Sequence, residues 1–283
     1  MNILSDFTNF INETNIPGSN KAGSYVRALK YLNVMLRECS PDWKDLGDIF
    51  EVDSIATLKK LHRLALDEGV KGEASIFAQA NVPPSYLKNR FCAGALRALI
   101  GYRLALEQDA EMENRLASVT DPMVIAKTIE QAPLPEPKFF LEGNVNPQSK
   151  EGKASLSRNL EVRNRRFFTR LVLSNFDNAC CLTGLDVPAT LRACLIVSED
   201  KKKALSPDNA LCLSATYAAA FKEHLISFDE DNRMILSPAL REHATSEIFH
   251  HTFKTYEGAH MRTALRFQPS AKLLAQHRER LAS

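Results

Sequence analysis

Six cysteines, at positions 39, 92, 180, 181, 194 and 212, are the first side chains that could do chemistry, as metal ligands, nucleophiles or disulfide partners. None stands in a C-x-x-C pair, and tetrahedral zinc sites ordinarily draw on ligands paired at short spacing. Cys180 and Cys181 are adjacent, an arrangement that disulfide geometry rarely accommodates. Free, mostly buried thiols in a reducing compartment are therefore expected. Phosphate recognition is a second chemistry. Arg158, Arg163, Arg165, Arg166 and Arg170 crowd one segment against the single acid Glu161. Arg163, Arg166 and Arg170 are spaced three and four apart, which places them on one face of a helix. Guanidinium groups suit bidentate contact with phosphate; a solvated face, or pairing with acids elsewhere, is the competing explanation. Lys201-Lys202-Lys203 forms a basic triplet that, taken alone, is a solvated loop. His250 and His251 are neighbours whose side chains diverge, which favours a surface role over metal binding. Asp229 and Asp231 fit a turn better than a metal site.

The elements that must position these residues divide into two kinds. Tyr25, Leu29, Leu32 and Leu36 recur at helical spacing. Asp53 and Ser54 can cap a helix carrying Ile55, Leu58, Leu61 and Ala65. Phe91, Ala95, Ala98, Tyr102 and Leu106 form a third stripe, and Pro83-Pro84 stops what precedes it. Residues 1–131 thus read as a helical bundle. From Ala132 to Lys153, Pro133, Pro135, Pro137, Gly143, Pro147 and Gly152 cluster, which predicts a linker with a short ordered piece at Phe139-Phe140-Leu141. After it, Ser157–Asn175 reads as a helix. A turn-rich stretch from Thr183-Gly184 to Ala193–Ile196 suits a small hairpin. Ala215–His224 reads as a helix. Leu225–Phe228 and Arg233–Leu236 read as strands around the turn Asp229–Asn232, and Ser270–Leu281 closes the chain as a helix. Residues 154–283 form a second, α+β domain.

Composition sets outer bounds. Hydrophobic residues make up 45% and charged residues 25%, which excludes a largely disordered chain or a fibre. No apolar run is long enough to span a bilayer, and the N-terminus lacks a basic region ahead of an apolar core, so a cytoplasmic protein is expected. The 36 basic and 34 acidic side chains nearly cancel, so the net charge of +2 points to no partner and only its distribution can.

The stretch from Arg165 to Leu240 resembles the HNH endonuclease domains of bacterial restriction endonucleases. The matching residues are Phe167, Val172-Leu173, Phe176, Cys180-Cys181-Leu182-Thr183-Gly184, Arg192-Ala193, Ile196, Asp208-Asn209 and Leu211. They continue through Phe221, Leu225–Asp229 and Ser237-Pro238-Ala239-Leu240. The tail around Pro269-Ser270, Leu274-Ala275 and His277-Arg278-Glu279 also looks like the end of that family. Ser24-Tyr25, Ala28-Leu29 and Ala95-Leu96-Arg97 resemble the helical module that often precedes the nuclease. The resemblance implies an α+β chain: an N-terminal helical bundle plus a C-terminal HNH-like domain of the ββα-metal type.

In that family a histidine near the hairpin activates water, a helical side chain helps hold a divalent cation, and an asparagine fixes the loop between them. Laid on this chain, the family's Arg-Ala-Ser-His-Ile becomes Arg192-Ala193-Cys194-Leu195-Ile196, so Leu195 occupies the base position. The asparagine is Asn209, followed by Ala210 in place of the usual glycine. Ala218 falls at the helical ligand position, and Lys222 stands four residues on, where an aspartate is usual. Neither a catalytic group nor a metal or other cofactor is then expected. His224, two residues past Lys222, is better suited to a capping or surface role than to replacing the base, and Cys194 reads as a buried structural thiol rather than a redox one. The resemblance implies a protein that binds double-stranded DNA without cutting it, through Arg158, Arg163, Arg166, Arg170, Lys201, Lys202, Lys203 and Lys222. Such a protein would serve as a transcriptional regulator or a non-catalytic component of a bacterial restriction or defence system. The alternatives are an active metal-dependent nuclease with a rearranged site and a protein-interaction module without nucleic acid; a homodimer is compatible with all three.

Overall fold

A computed structural model describes residues 3–15, 18–141, 143, 145–198 and 205–281. In chain order the helices before the first strand are α1 (Ile3–Thr14), α2 (Lys21–Cys39), α3 (Ile55–Gly69), α4 (Ser85–Lys88), α5 (Phe91–Leu116), α6 (Pro122–Gln131) and α7 (Lys150–Asn175). Then follow β1 (Leu191–Leu195), β2 (Ala210–Ser214), α8 (Ala215–Lys222), β3 (Ile226–Phe228), β4 (Met234–Leu236), α9 (Pro238–Arg241), α10 (Glu247–Thr252) and α11 (Ala271–Arg278). The class is α+β. Among the described residues no helix is long and apolar enough to cross a membrane.

The chain falls into two compact units, one of Met1–Asn114 with Pro133–Arg163, the other of Arg115–Ala132 with Asn164–Ser283. The first is helical. Ser54 starts α3, its hydroxyl accepting the Thr57 N–H at 3.2 Å, and Leu58, Leu61 and Ala65 turn the buried stripe inward. Rings anchor the centre: Tyr102 on α5 meets Phe7 at 5.8 Å and Phe10 at 5.5 Å between centroids. The neighbouring Arg103 holds the loop before α3, donating to the Phe50 carbonyl at 2.7 Å and pairing with Asp53 at 2.9 Å.

The described residues of the proline-rich stretch from Pro133 to Lys153 belong to this unit. Phe139, Phe140 and Leu141 are buried. The Asn159 amide donates to the Phe140 carbonyl at 3.1 Å. α7 begins at Lys150, seven residues before Ser157, because Ser149 accepts the Gly152 N–H on its hydroxyl at 3.0 Å and supplies the turn that starts the helix. Gly101 lets α5 approach this stretch: a β-carbon there would stand 2.9 Å from the Phe139 carbonyl oxygen.

The second unit contains both sheets. β1 and β2 pair antiparallel, Leu191 opposite Ser214 through Leu195 opposite Ala210. The hairpin expected within 183–196 is therefore formed differently. Its second strand is the fully buried run Ala210–Ser214, which has no alternation to announce a strand. β3 pairs with β4, Ile226 opposite Leu236. Asp229 closes their turn by accepting the N–H groups of Asp231 at 2.9 Å and Arg233 at 2.7 Å. At the end of α7, the buried Asn175 donates to the Phe267 carbonyl at 2.8 Å and accepts the N–H groups of Arg266 and Phe267, fixing the segment that leads to α11.

Gly101→Ala is expected to lower stability by about 1–3 kcal/mol, since the backbone it meets cannot rotate away. A thermal melt followed by circular dichroism checks this; an unchanged midpoint counts against the close approach.

Candidate functional site

The site is built on the β1–β2 pair and α8, which follows β2 directly. Asn209, the residue before β2, is 1% exposed. Its side-chain oxygen accepts the Val197 N–H at 3.0 Å and its amide donates to the Val197 carbonyl at 2.9 Å. Its own carbonyl accepts the Ile196 N–H at 2.9 Å. One side chain thus staples the two ends of the connection between the strands. The turn at Cys180–Gly184 packs behind them: the Cys181 N–H donates to the Cys212 carbonyl at 2.7 Å, and the Gly184 N–H returns to the Cys180 carbonyl at 2.9 Å.

In front lies a cavity of about 500 Å³. Leu195 closes β1 on one wall; Ala218 and Lys222 on α8 form the other, with His224, His277 and Arg280 along one side. Ala218 is buried and Lys222 exposed. α8 ends at Lys222, and His224 takes the left-handed conformation, φ 54°, just past the helix end. Its N–H returns to the Phe221 carbonyl at 3.0 Å, while its Nδ1 is buried with no hydrogen-bond partner.

His277 on α11 is 2% exposed and ties three elements. Its Nε2 lies 2.9 Å from the Phe221 carbonyl. A carbonyl only accepts, so Nε2 carries the proton and Nδ1 accepts from the Ser227 hydroxyl, also at 2.9 Å. The imidazole stacks on the Phe221 ring at 3.8 Å and 3°. Burial pushes its pKa down to about 4; the Phe221 carbonyl opposes this, and His224 and Arg280 reinforce it.

The thiols are all free. Burial raises Cys194, on the cavity wall, to about 12, with Cys180 adding to it and Arg192 opposing, so the protein holds it as a neutral thiol. Burial likewise raises Cys212 to about 12. Cys180 differs: burial works to raise it, but hydrogen bonds from Thr183, Ser214 and Leu182 bring it below the usual thiol value.

A hard divalent cation needs oxygen donors. Among the described residues the cavity offers an isobutyl group at Leu195, a methyl at Ala218 and an ammonium at Lys222, and no carboxylate lines it. No group of three or more His, Cys, Asp or Glu side chains among the described residues is placed to hold a metal. The side chains of Leu195, Ala218 and Lys222 supply no oxygen donor for the divalent ion of the ββα-metal arrangement.

The expected phosphate contacts are dispersed. Arg158 is exposed and Arg163 buried in the first unit, whereas Arg166 and Arg170, both half-buried, belong to the second. Arg163 does not join an open face: it is 1% exposed, donates to Gln108 Oε1 at 2.9 Å and lies 3.5 Å from the Met112 sulfur. Burial pulls its pKa down while Asp109 holds it up. The helix turns that residue toward its own unit's core, where it serves packing and charge balance. Arg170 sits over the Phe167 ring at 5.8 Å. Lys201, Lys202 and Lys203 lie outside the described residues. His277 and Arg280 are the cavity residues that spacing does not single out; they sit more than fifty residues from α8 in sequence and reach it only through the fold.

A paired hairpin followed directly by a helix, with an asparagine stapling the strand connection, defines a ββα nuclease-type domain. Residues 180–229, from the Cys180 turn through Asp229, match the HNH endonuclease family model, and that segment is an HNH-family domain. No curated protein matches the chain.

Two outcomes follow. Arg163→Ala strips a buried guanidinium from beside Asp109 and is expected to cost about 3 kcal/mol in stability, read by chemical denaturation. His277 has a folded pKa below its unfolded value of about 6.5. The unfolded chain therefore binds more protons in between, and stability is complete above about 6.5 and lost as pH falls toward 4, by up to about 3 kcal/mol. The thermal midpoint is expected to drop between about pH 7 and about pH 4.5, and to drop less in His277→Gln.

Proposed function

We propose that the HNH-family segment binds double-stranded DNA without cutting it, serving as a transcriptional regulator or a non-catalytic component of a bacterial restriction or defence system in the cytoplasm. One observation carries this reading: the cavity between β1 and α8 keeps its Asn209 staple while Leu195, Ala218 and Lys222 face it. Water activation at phosphorus needs a base and a cation holder at such positions; a leucine, an alanine and a lysine supply neither. DNA affinity comes largely from phosphate contacts and survives the loss of chemistry. Lys222 at the cavity rim, with Arg166 and Arg170 on α7, offers cations within the second unit. Lys201, Lys202 and Lys203, outside the described residues, are proposed DNA contacts from their place in the sequence alone, and Arg158 is proposed as a contact of the first unit. In this reading residues 154–283 are the DNA-binding module, 132–153 its lead-in and 1–131 the accompanying helical module.

Duplex DNA is expected to be retarded in a low-salt gel shift, with affinity falling steeply as salt rises. Charge reversal of Arg166, Arg170 and Lys222 together is expected to weaken it by about tenfold or more. No plasmid nicking is expected with Mg²⁺, Mn²⁺, Ni²⁺ or Zn²⁺. Metal-dependent nicking that disappears in His224→Ala or Asn209→Ala would replace this reading with an active nuclease using a rearranged site. Absence of any DNA shift would leave an interaction module in its place.

A further inference from the structure

The first unit contains a separate cavity of about 280 Å³, bordered by α3, α5 and residues 138, 139, 141, 143, 145 and 147. Four cations converge on it: Lys59 and Arg63 one helical turn apart on α3, Arg97 on α5 and Lys138 before the buried Phe139. Its floor is apolar, formed by Phe139, Leu141, Val145 and Pro147. The two lysine ammoniums stand over the Phe139 ring, at 5.5 and 5.1 Å from its centroid. Glu136 answers both, 2.5 Å from Lys59 and 3.7 Å from Lys138, but does not border the cavity, and among the described residues no carboxylate does. Glu142, next to two of the lining residues, lies outside the described residues. The Arg97 guanidinium donates to the Gly143 carbonyl. His62 borders the same space, its ring 6.2 Å from Phe139, with Nε2 buried and lacking any hydrogen-bond partner.

Cations gathered against a low-dielectric wall repel one another, so the arrangement is stabilised by an anion it can enclose. We propose that this cavity binds a phosphate monoester carrying a small organic group, with Lys59, Arg63, Arg97 and Lys138 meeting the dianion and the Phe139 floor taking the esterified group. A lone inorganic anion would leave that floor bare, and a protein carboxylate would supply half the charge. The site is independent of DNA binding by the second unit. His62 reports on it: burial, then Arg97 and Lys138, lower its pKa to about 4, and a dianion against Nε2 reverses that field. Two sources share this chemistry, a free phosphorylated small molecule and the terminal phosphate of a nucleic-acid strand.

The test follows the His62 ring resonances of the full chain by NMR. The probes are phenyl phosphate, a short single-stranded oligonucleotide with a 5′-phosphate, and the same strand with a 5′-hydroxyl. Saturable movement of the His62 signals with the ester or the phosphorylated strand, together with an upward shift of the His62 titration, is expected. Response to the ester alone identifies a small-molecule source; response to the phosphorylated strand identifies a strand end. Arg63→Gln with Lys138→Gln, both at the surface, is expected to weaken the response by about tenfold or more with the thermal midpoint preserved. The proposal is overturned if no probe moves His62, if the hydroxyl strand acts as strongly as the phosphorylated one, or if the double variant binds as tightly as the original chain.

Discussion

The second unit depends on the way Asn209 uses both ends of its amide. A β-hairpin with a connection as long as 196–209 loses much conformational entropy on closing, and among its described residues none belongs to a strand. Asn209 stands in for the missing ladder, giving Val197 the acceptor and donor that a neighbouring strand would offer, at 3.0 and 2.9 Å. β1 is thereby held at the register that sets Leu195 opposite Ala210 and across the cavity from α8. Removing the amide would leave both Val197 groups to water and release the wall of the site.

His277 completes the same wall from the far end of the chain. It stacks on Phe221, caps the carbonyl at the end of α8 and accepts from Ser227 on β3, so one uncharged ring fixes the helix, the second sheet and α11 together. The arrangement works only while the ring is neutral, because protonation would put a second proton against the Ser227 hydroxyl and a charge in a dry interior. The cavity therefore combines this frame with a wall that includes the aliphatic side chains of Leu195 and Ala218 and an edge that carries Lys222.

Charge is arranged differently in the two units. Arg163 shows that an arginine on a basic segment need not face solvent: its aliphatic stem and its guanidinium are both taken up inside the first unit, near Asp109 and Gln108. Lys59, Arg63, Arg97 and Lys138 show the reverse, cations separated by up to about eighty residues in sequence that line one cavity. A net charge near zero conceals both arrangements.

Helices with a long apolar stripe, α2, α3 and α5, were legible because their signals are local, whereas α1, α6, α9 and α10 were not read from the chain. Ser54 caps α3, its apolar stripe repeats every three or four residues, and Asp229 with Asn232 marks the turn between β3 and β4. The residue types at 195, 209, 218 and 222 were likewise read directly from the chain, since an HNH-type spacing carries its chemistry in identity. β2 was not legible, because a strand buried on both faces shows no alternation and only its partner defines it. The early start of α7 hung on one serine hydroxyl within a proline-rich stretch that composition alone marks as loose. Sequence by itself determined the amphipathic helices and the β3–β4 turn, and which residue types stand at 195, 209, 218 and 222, since these are read along the chain. Tertiary structure alone decided that Arg163 is buried, that His277 and Lys222 share a cavity, and that Lys59, Arg63, Arg97 and Lys138 line another, because burial and charge proximity depend on contacts that chain spacing does not encode.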